Sequence, residues 1–228
     1  SNYIPKEFHA LGLPEADQKS HAAWDPGALA VTTYLSQHLN AVAVAGGVSR
    51  LVYDCNRPPS APDAMPMRSE IIDVPGNLNL TQQDRDARTL AFYRPFEAAL
   101  SAQIAQTHAP IIITIHSFTP IYHGKMRDVE IGVLHDTDSR LADAMLDCAQ
   151  AQTQNNVQRN EPYGPEHGVT HTLKQHAITQ GHPNVMLEIR NDLIATPEQQ
   201  KNMAQMIAQW IAQACAQMTL SGDVQCQA

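Results

Sequence analysis

The sequence predicts an α/β fold, a single three-layer domain in which a mostly parallel mixed sheet carries helices on both faces. Three observations carry that prediction. Short apolar runs of strand character alternate with longer segments of helical period. Two of those runs, 111–116 and 184–190, read as strands entering a hydrophobic sheet covered on both sides. At 228 residues, with 43% hydrophobic and 17% charged, the chain is long enough for one such domain with a sizeable core.

The elements follow in order. The chain opens at Ser1-Asn2-Tyr3-Ile4-Pro5 with no first strand, so a strand preceding Ser1 is expected. Trp24-Asp25-Pro26-Gly27 starts a helix, with Asp25 at the N-cap and Pro26 in the first turn. It runs to His38 or Leu39, with Leu29, Thr32, Leu35 and Leu39 along one stripe. Short β-like runs are expected at 41–45 and 50–54, separated by Gly46-Gly47. Residues 58–80, rich in Pro, Ser, Asp and Asn, read as a long ordered loop, and loops of that length inside a compact domain are usually functional.

Thr81 caps a long amphipathic helix, with Asp84 at the capping-box third position, and Pro95 marks a kink before about residue 108. The strand 111–116, a loop through Pro120 and Gly124, and a strand 129–134 come next. A helix over 138–151, a short strand near Val157 and a loop over 160–169 follow. A helix from about 170 to 180 leads through Gly181-His182-Pro183 into the strand 184–190. Thr196-Pro197-Glu198 opens a last helix that runs to about Met218. One catalytic domain is expected over 1–218, with 219–228 a frayed tail.

Composition excludes several roles. The net charge of −8 argues against nucleic acid or an anionic membrane surface as partner, and no run reaches the roughly 18 apolar residues of a spanning helix. Cys55, Cys148, Cys215 and Cys226 are widely spaced with no C-x-x-C pair, which suits reduced thiols in a cytoplasmic protein and not a Cys-rich zinc site. The oligomeric state is left open.

In open α/β sheets, sites lie beyond the carboxyl ends of the strands. Asp54-Asn56-Arg57, His116-Ser117 and Glu188-Arg190 all fall at or just past strand ends. Glu188 is the sharpest of these, because a carboxylate in a buried strand costs several kcal/mol, roughly, unless a cation, a metal or hydrogen bonds compensate. Glu188 and Arg190, two apart on one strand, share a face, so an ion pair between them, or with Arg57, is one way to compensate. The other is a hydrolytic site. A zinc hydrolase needs about three His or carboxylate ligands, an open position for water and a carboxylate base beside it. His116 is the candidate ligand, Glu188 the candidate base, and Asn56, Arg57 and Arg50 are candidate clamps for a substrate carboxylate.

Three strings, Asn56-Arg57, Ile115-His116-Ser117-Phe118 and Leu187-Glu188-Ile189-Arg190-Asn191, resemble the zinc carboxypeptidase superfamily. Over nearly its whole length the chain is similar to the N-formylglutamate amidohydrolase family. The matching strings include Ala23-Trp24-Asp25-Pro26-Gly27-Ala28, His116-Ser117-Phe118-Thr119-Pro120 and, most specifically, Ser49-Arg50-Leu51-Val52-Tyr53-Asp54-Cys55-Asn56-Arg57-Pro58. The resemblance implies a zinc exopeptidase-like or phosphorylase/hydrolase-like fold, Zn2+ as cofactor and His116 as a metal ligand. It further implies Glu188 as general base and Asn56-Arg57 as the group that binds a substrate carboxylate. Family members carry a metal-binding His in a Glu-His-Ala-Ser-Asn string, so the first ligand is expected upstream of Ser1. Asn2 stands where the carboxypeptidases place a Glu ligand, and Asp25 is the candidate to replace it. His176 matches a family histidine that contacts substrate or stabilises an oxyanion; a solvated helix face is the other reading.

The implied reaction is metal-dependent hydrolysis of a linear amide in a small acidic N-acyl amino acid such as N-formylglutamate. Two alternatives stand beside it: a small-molecule-binding or vestigial α/β protein without metal, and a zinc amidase or carboxypeptidase-like enzyme acting on another N-acyl amino acid or a peptide.

Overall fold

A computed structural model describes residues 1–218. The tail expected at 219–228, with Cys226, lies outside the described residues. The main elements, in chain order, are α1 (Ala28–His38), α2 (Gln82–Arg88), α3 (Arg94–Gln106), β1 (Ile112–Phe118), β2 (Ile131–Leu134), α4 (Arg140–Gln152), β3 (Val157–Arg159), α5 (His171–His176), β4 (Asn184–Arg190) and α6 (Pro197–Gln217). They belong to two compact units. One comprises Ser1–Asp25 and Val44–Ala105; the other comprises Pro26–Ala43 and the described residues from Gln106 onward.

The second unit is α/β. Its sheet has the order β1-β4-β2-β3, with β1 parallel to β4, β4 antiparallel to β2 and β2 parallel to β3. This is the mixed sheet the sequence predicts. Side chains alternate across it. Val185, Leu187 and Ile189 of β4, with Ile113 and Ile115 of β1, join an apolar cluster filled by α1, α4 and α6. The alternate residues, Thr114, His116, Met186 and Glu188, therefore leave by the opposite face. The short helix α5 packs against β1 and β4, and its fully buried Leu173 lies outside that cluster.

α1 starts later than expected and buries a different stripe. Its cap is Gly27 at φ +82°, with no side-chain cap, and the buried positions are Ala28, Val31 and Leu35 while Leu29 is exposed. Only glycine fits at the cap, because a Cβ there would stand 2.5 Å from the Ile194 carbonyl oxygen. The N-cap role expected of Asp25 is thus filled by backbone geometry. Later in the same unit, Thr196 and Gln199 form the capping box that opens α6.

In the first unit Thr81 and Asp84 form the expected capping box. Pro95 is accommodated by a π-helical turn over Thr89–Tyr93 that widens the ladder just before it, joining α2 to α3. The β-like run expected at 50–54 is instead a series of turns, its backbone held by single bonds such as Arg50 N to Ala23 O and Asp54 N to Ala64 O. Residues 41–45 are likewise irregular. The long loop is ordered by a buried polar brace. Arg88 donates to Asn77 Oδ1 (2.7 Å) and Val52 O (3.2 Å), and its guanidinium lies 4.7 Å from the Phe8 ring centroid. Asn77 donates to Leu51 O and Pro66 O, both at 2.8 Å. Among the described residues, no helix is long and apolar enough to cross a membrane.

Candidate active site

In the second unit, β1 and β4 run parallel with His116 in register with Glu188. Register partners on adjacent strands point the same way, so the imidazole and the carboxylate stand side by side on the face opposite the apolar cluster. Glu188 is 6% exposed, and His116 is half-buried. On its other side Glu188 is in register with Gly132 of β2. A Cβ at Gly132 would lie 1.9 Å from the Glu161 carbonyl oxygen, so the missing side chain lets the 160–164 loop approach the strand beside Glu188.

His176 is buried, on the helix that packs against β1 and β4. That disposes of the solvated-face reading. The position of α5 is fixed from its N-terminal end: Thr170 Oγ1 donates to Asp136 Oδ2 at 2.6 Å, and Lys174 Nζ lies 3.0 Å from the same oxygen. Burial opposes ionisation of Asp136, but these two partners outweigh it and hold its carboxyl below the usual carboxylate range. At the start of α1, Ser117 Oγ donates to Pro26 O (2.8 Å), which ties the end of β1 to that helix.

Arg190 turns to other partners than Glu188. Its Nε donates to Asp192 (2.9 Å), Nη2 to Glu130 (3.2 Å) and Nη1 to the Arg127 carbonyl (3.1 Å). The two residues share a face of the strand, as expected, but Arg190 is engaged by Asp192 just past β4 and by Arg127 and Glu130 in the segment before β2.

The remaining candidates lie in the first unit. Asp25 forms an ion pair with Arg50. Asp54 Oδ1 accepts from the Asn56 backbone N–H (2.9 Å) in a tight turn. Arg57 Nε donates to Asp63 (2.6 Å) and Nη1 to the Asn56 carbonyl (3.1 Å). Asn56, Arg57 and Arg50 are each half-buried.

Among the described residues, no group of three or more His, Cys, Asp or Glu side chains is placed to hold a metal. His116 and Glu188 are ligand types that zinc accepts, but they are two, and the Asp25 carboxylate is engaged by Arg50. The described donors therefore fit a zinc ion only in part. Burial disfavours the thiolate form of the described cysteines: it pushes Cys55 up to about 12 and Cys215 up to about 11, and raises Cys148 as well.

Sequence reasoning passed over Gly132. An isolated glycine between Ile131 and Val133 is a signal of close backbone approach, but its pairing with Glu188 depends on strand order, which no local pattern encodes.

A family model described as N-formylglutamate amidohydrolase matches residues 1–195. Among solved structures, the crystal structure of gene product Atu2144 from Agrobacterium tumefaciens superposes with a TM-score of 0.93 at 52% sequence identity, covering 95% of this chain and 87% of that one. Among curated proteins, none matches the sequence.

Proposed function

The chain belongs to the N-formylglutamate amidohydrolase family, and from that premise we propose that it hydrolyses the linear amide of an acidic N-acyl amino acid such as N-formylglutamate, with Glu188 as general base. The observation that carries this reading is the register pairing of His116 with Glu188. It sets a buried carboxylate beside an imidazole near the carboxyl ends of two strands, the combination that base-assisted addition of water to an amide carbonyl would use.

In the proposed reaction Glu188 takes a proton from water as the water oxygen adds to the formyl carbon. The carbon–nitrogen bond then breaks, and Glu188 returns the proton to the departing nitrogen. Formate and the free amino acid leave, and the carboxylate is regenerated. His176, buried on α5, is assigned to the carbonyl oxygen, where negative charge develops. Asn56, Arg57 and Arg50 are assigned to a substrate carboxylate on the strength of their donor chemistry and of the family strings that contain them.

Zinc is part of the proposal, with His116 as a ligand to it and Asp25 the further candidate ligand; when bound, it would lower the pKa of a coordinated water towards about 7. The register of Glu188 with His116 and the burial of His176 support the roles assigned to those two, while donor chemistry and the family strings support those assigned to the arginines.

The direct test is formate release from N-formylglutamate by the purified protein, with N-acetyl and peptide amides in parallel. Hydrolysis of the N-formyl substrate is expected. Turnover of an N-acetyl or peptide amide alone would move the assignment to that substrate class, and no turnover of any would overturn it in favour of a binding role.

A further inference from the structure

We infer that Arg127 selects an acidic side chain in the substrate by pairing with its terminal carboxylate, an inference that rests on the hydrolytic reading above. Arg127 lies in the second unit, just after the small hairpin formed by Ile121–Tyr122 and Lys125–Met126. Its guanidinium carbon stands 4.3 Å from the Tyr122 ring centroid, 5.0 Å from that of Tyr163 and 5.4 Å from that of Phe118. Three aromatic rings thus hold one cation. Such contacts fix the plane of a guanidinium and strip water from its faces while leaving its edge to make hydrogen bonds.

The edge is only partly used. Nη1 donates to the Thr119 carbonyl (3.3 Å) and Nη2 to the Tyr163 hydroxyl (3.1 Å). Both acceptors are neutral, and the residue is half-buried. The contrast with Arg190 is informative, because that guanidinium is engaged by the carboxylates of Glu130 and Asp192. In a chain with 23 acidic against 15 basic residues, a caged arginine served by neutral acceptors is disposed to take an anion from outside.

Its place along the sheet fits a glutamyl side chain. Phe118 lies two residues beyond His116 on β1 and so on the same face, and its register partner is Arg190. Two residues of a parallel strand advance about 6.6 Å. Arg127, over the Phe118 ring, is thus one side-chain layer beyond the His116–Glu188 pair, towards the carboxyl ends of the strands. An extended glutamyl group places its terminal carboxylate about 5 Å from the amide nitrogen by standard bond lengths. A carboxylate that reaches the free edge gains charge-assisted hydrogen bonds; the corresponding amide gains fewer and weaker ones.

The test compares kcat/KM for N-formylglutamate with kcat/KM for its neutral counterpart N-formylglutamine, in the wild-type protein and in the Arg127→Gln and Arg127→Lys variants. The wild-type protein is expected to prefer the acid. Arg127→Gln is expected to reduce that preference about 10- to 100-fold, chiefly through KM. Arg127→Lys keeps the charge but not the stacked fork, and is expected to reduce it by at least about threefold; it carries the test if the glutamine variant does not fold. A merely structural arginine would lower both rates together and leave the ratio alone. An unchanged ratio in the folded variants, with wild-type hydrolysis intact, overturns this inference and spares the hydrolytic reading; a wild-type protein that hydrolyses neither substrate overturns both.

Discussion

His116 and Glu188 are register partners on two parallel strands, and the position opposite Glu188 on its other side is a glycine. The carboxylate is therefore flanked by an imidazole on β1 and by bare backbone on β2. That asymmetry leaves the loop carbonyl of Glu161 free to close in where a side chain would stand.

Gly132→Ala is expected to damage both stability and activity. The new methyl group would require the Glu161 carbonyl or strand β2 to move, and such overpacking costs about 1–3 kcal/mol. Because Gly132 is in register with Glu188, the shift should also lower kcat. A thermal melt and a turnover measurement on the same preparation check this; wild-type values for both would show that the loop yields without disturbing the strand.

Asn77→Ala is expected to lower stability by about 2–4 kcal/mol, read as a shift in the denaturant midpoint. The substitution removes an acceptor from buried Arg88 and a donor from the Leu51 and Pro66 carbonyls. It should weaken substrate binding too if Asn56 and Arg57 hold a carboxylate, because the brace holds the backbone just before their turn. A midpoint shift below about 0.5 kcal/mol, within the range of ordinary surface changes, would show that the brace contributes little.

Asp136 supplies a pH dependence. Its folded pKa lies below the ordinary aspartate value of 3.8, so its contribution to stability is fully present above that value and is lost as pH falls through the folded pKa. Asp136→Asn should therefore destabilise the protein at neutral pH, and the difference from wild type should shrink as the pH falls below about 4. Because the carboxylate fixes Thr170 and Lys174, the same variant should lower kcat through the placement of His176. A stability difference that stays constant into acid would rule out the carboxylate's ionisation as its source.

How much of this could be read from the sequence follows from the range of each interaction. The capping boxes at Thr81 and Thr196 involve side chains within three residues of one another, and both are legible. The strands of β1 and β4 are legible because each is a continuous apolar run, and their charged ends mark His116 and Glu188. Asp25 reads in the sequence as a helix cap or a metal ligand, whereas Gly27 is the cap and the partner of Asp25 is Arg50, a tertiary contact that no local pattern encodes. The turns over 50–54 resemble a strand in composition, yet their backbone bonds go to scattered acceptors and not to a neighbouring ladder. Gly132 escaped because strand order sets it beside Glu188, and Arg127 because its ring cage joins Phe118 and Tyr122 to the distant Tyr163.

Zinc dependence is a prediction of its own. Protein as isolated is expected to carry about one equivalent of zinc, and His116→Ala less than about a tenth. Metal analysis of both proteins decides it. Equal zinc in the two would remove His116 from the ligand set, and near-zero zinc in an active wild-type protein would remove the metal from the proposal.

The central claim is that Glu188 moves the proton in amide hydrolysis, and the turnover of Glu188→Gln on N-formylglutamate tests it most directly. The substitution keeps the shape of the side chain and removes its basicity. A fall in kcat of about 10²- to 10⁴-fold, with the melting temperature held, is the predicted result. A folded Glu188→Gln protein that hydrolyses N-formylglutamate at the wild-type rate would contradict it.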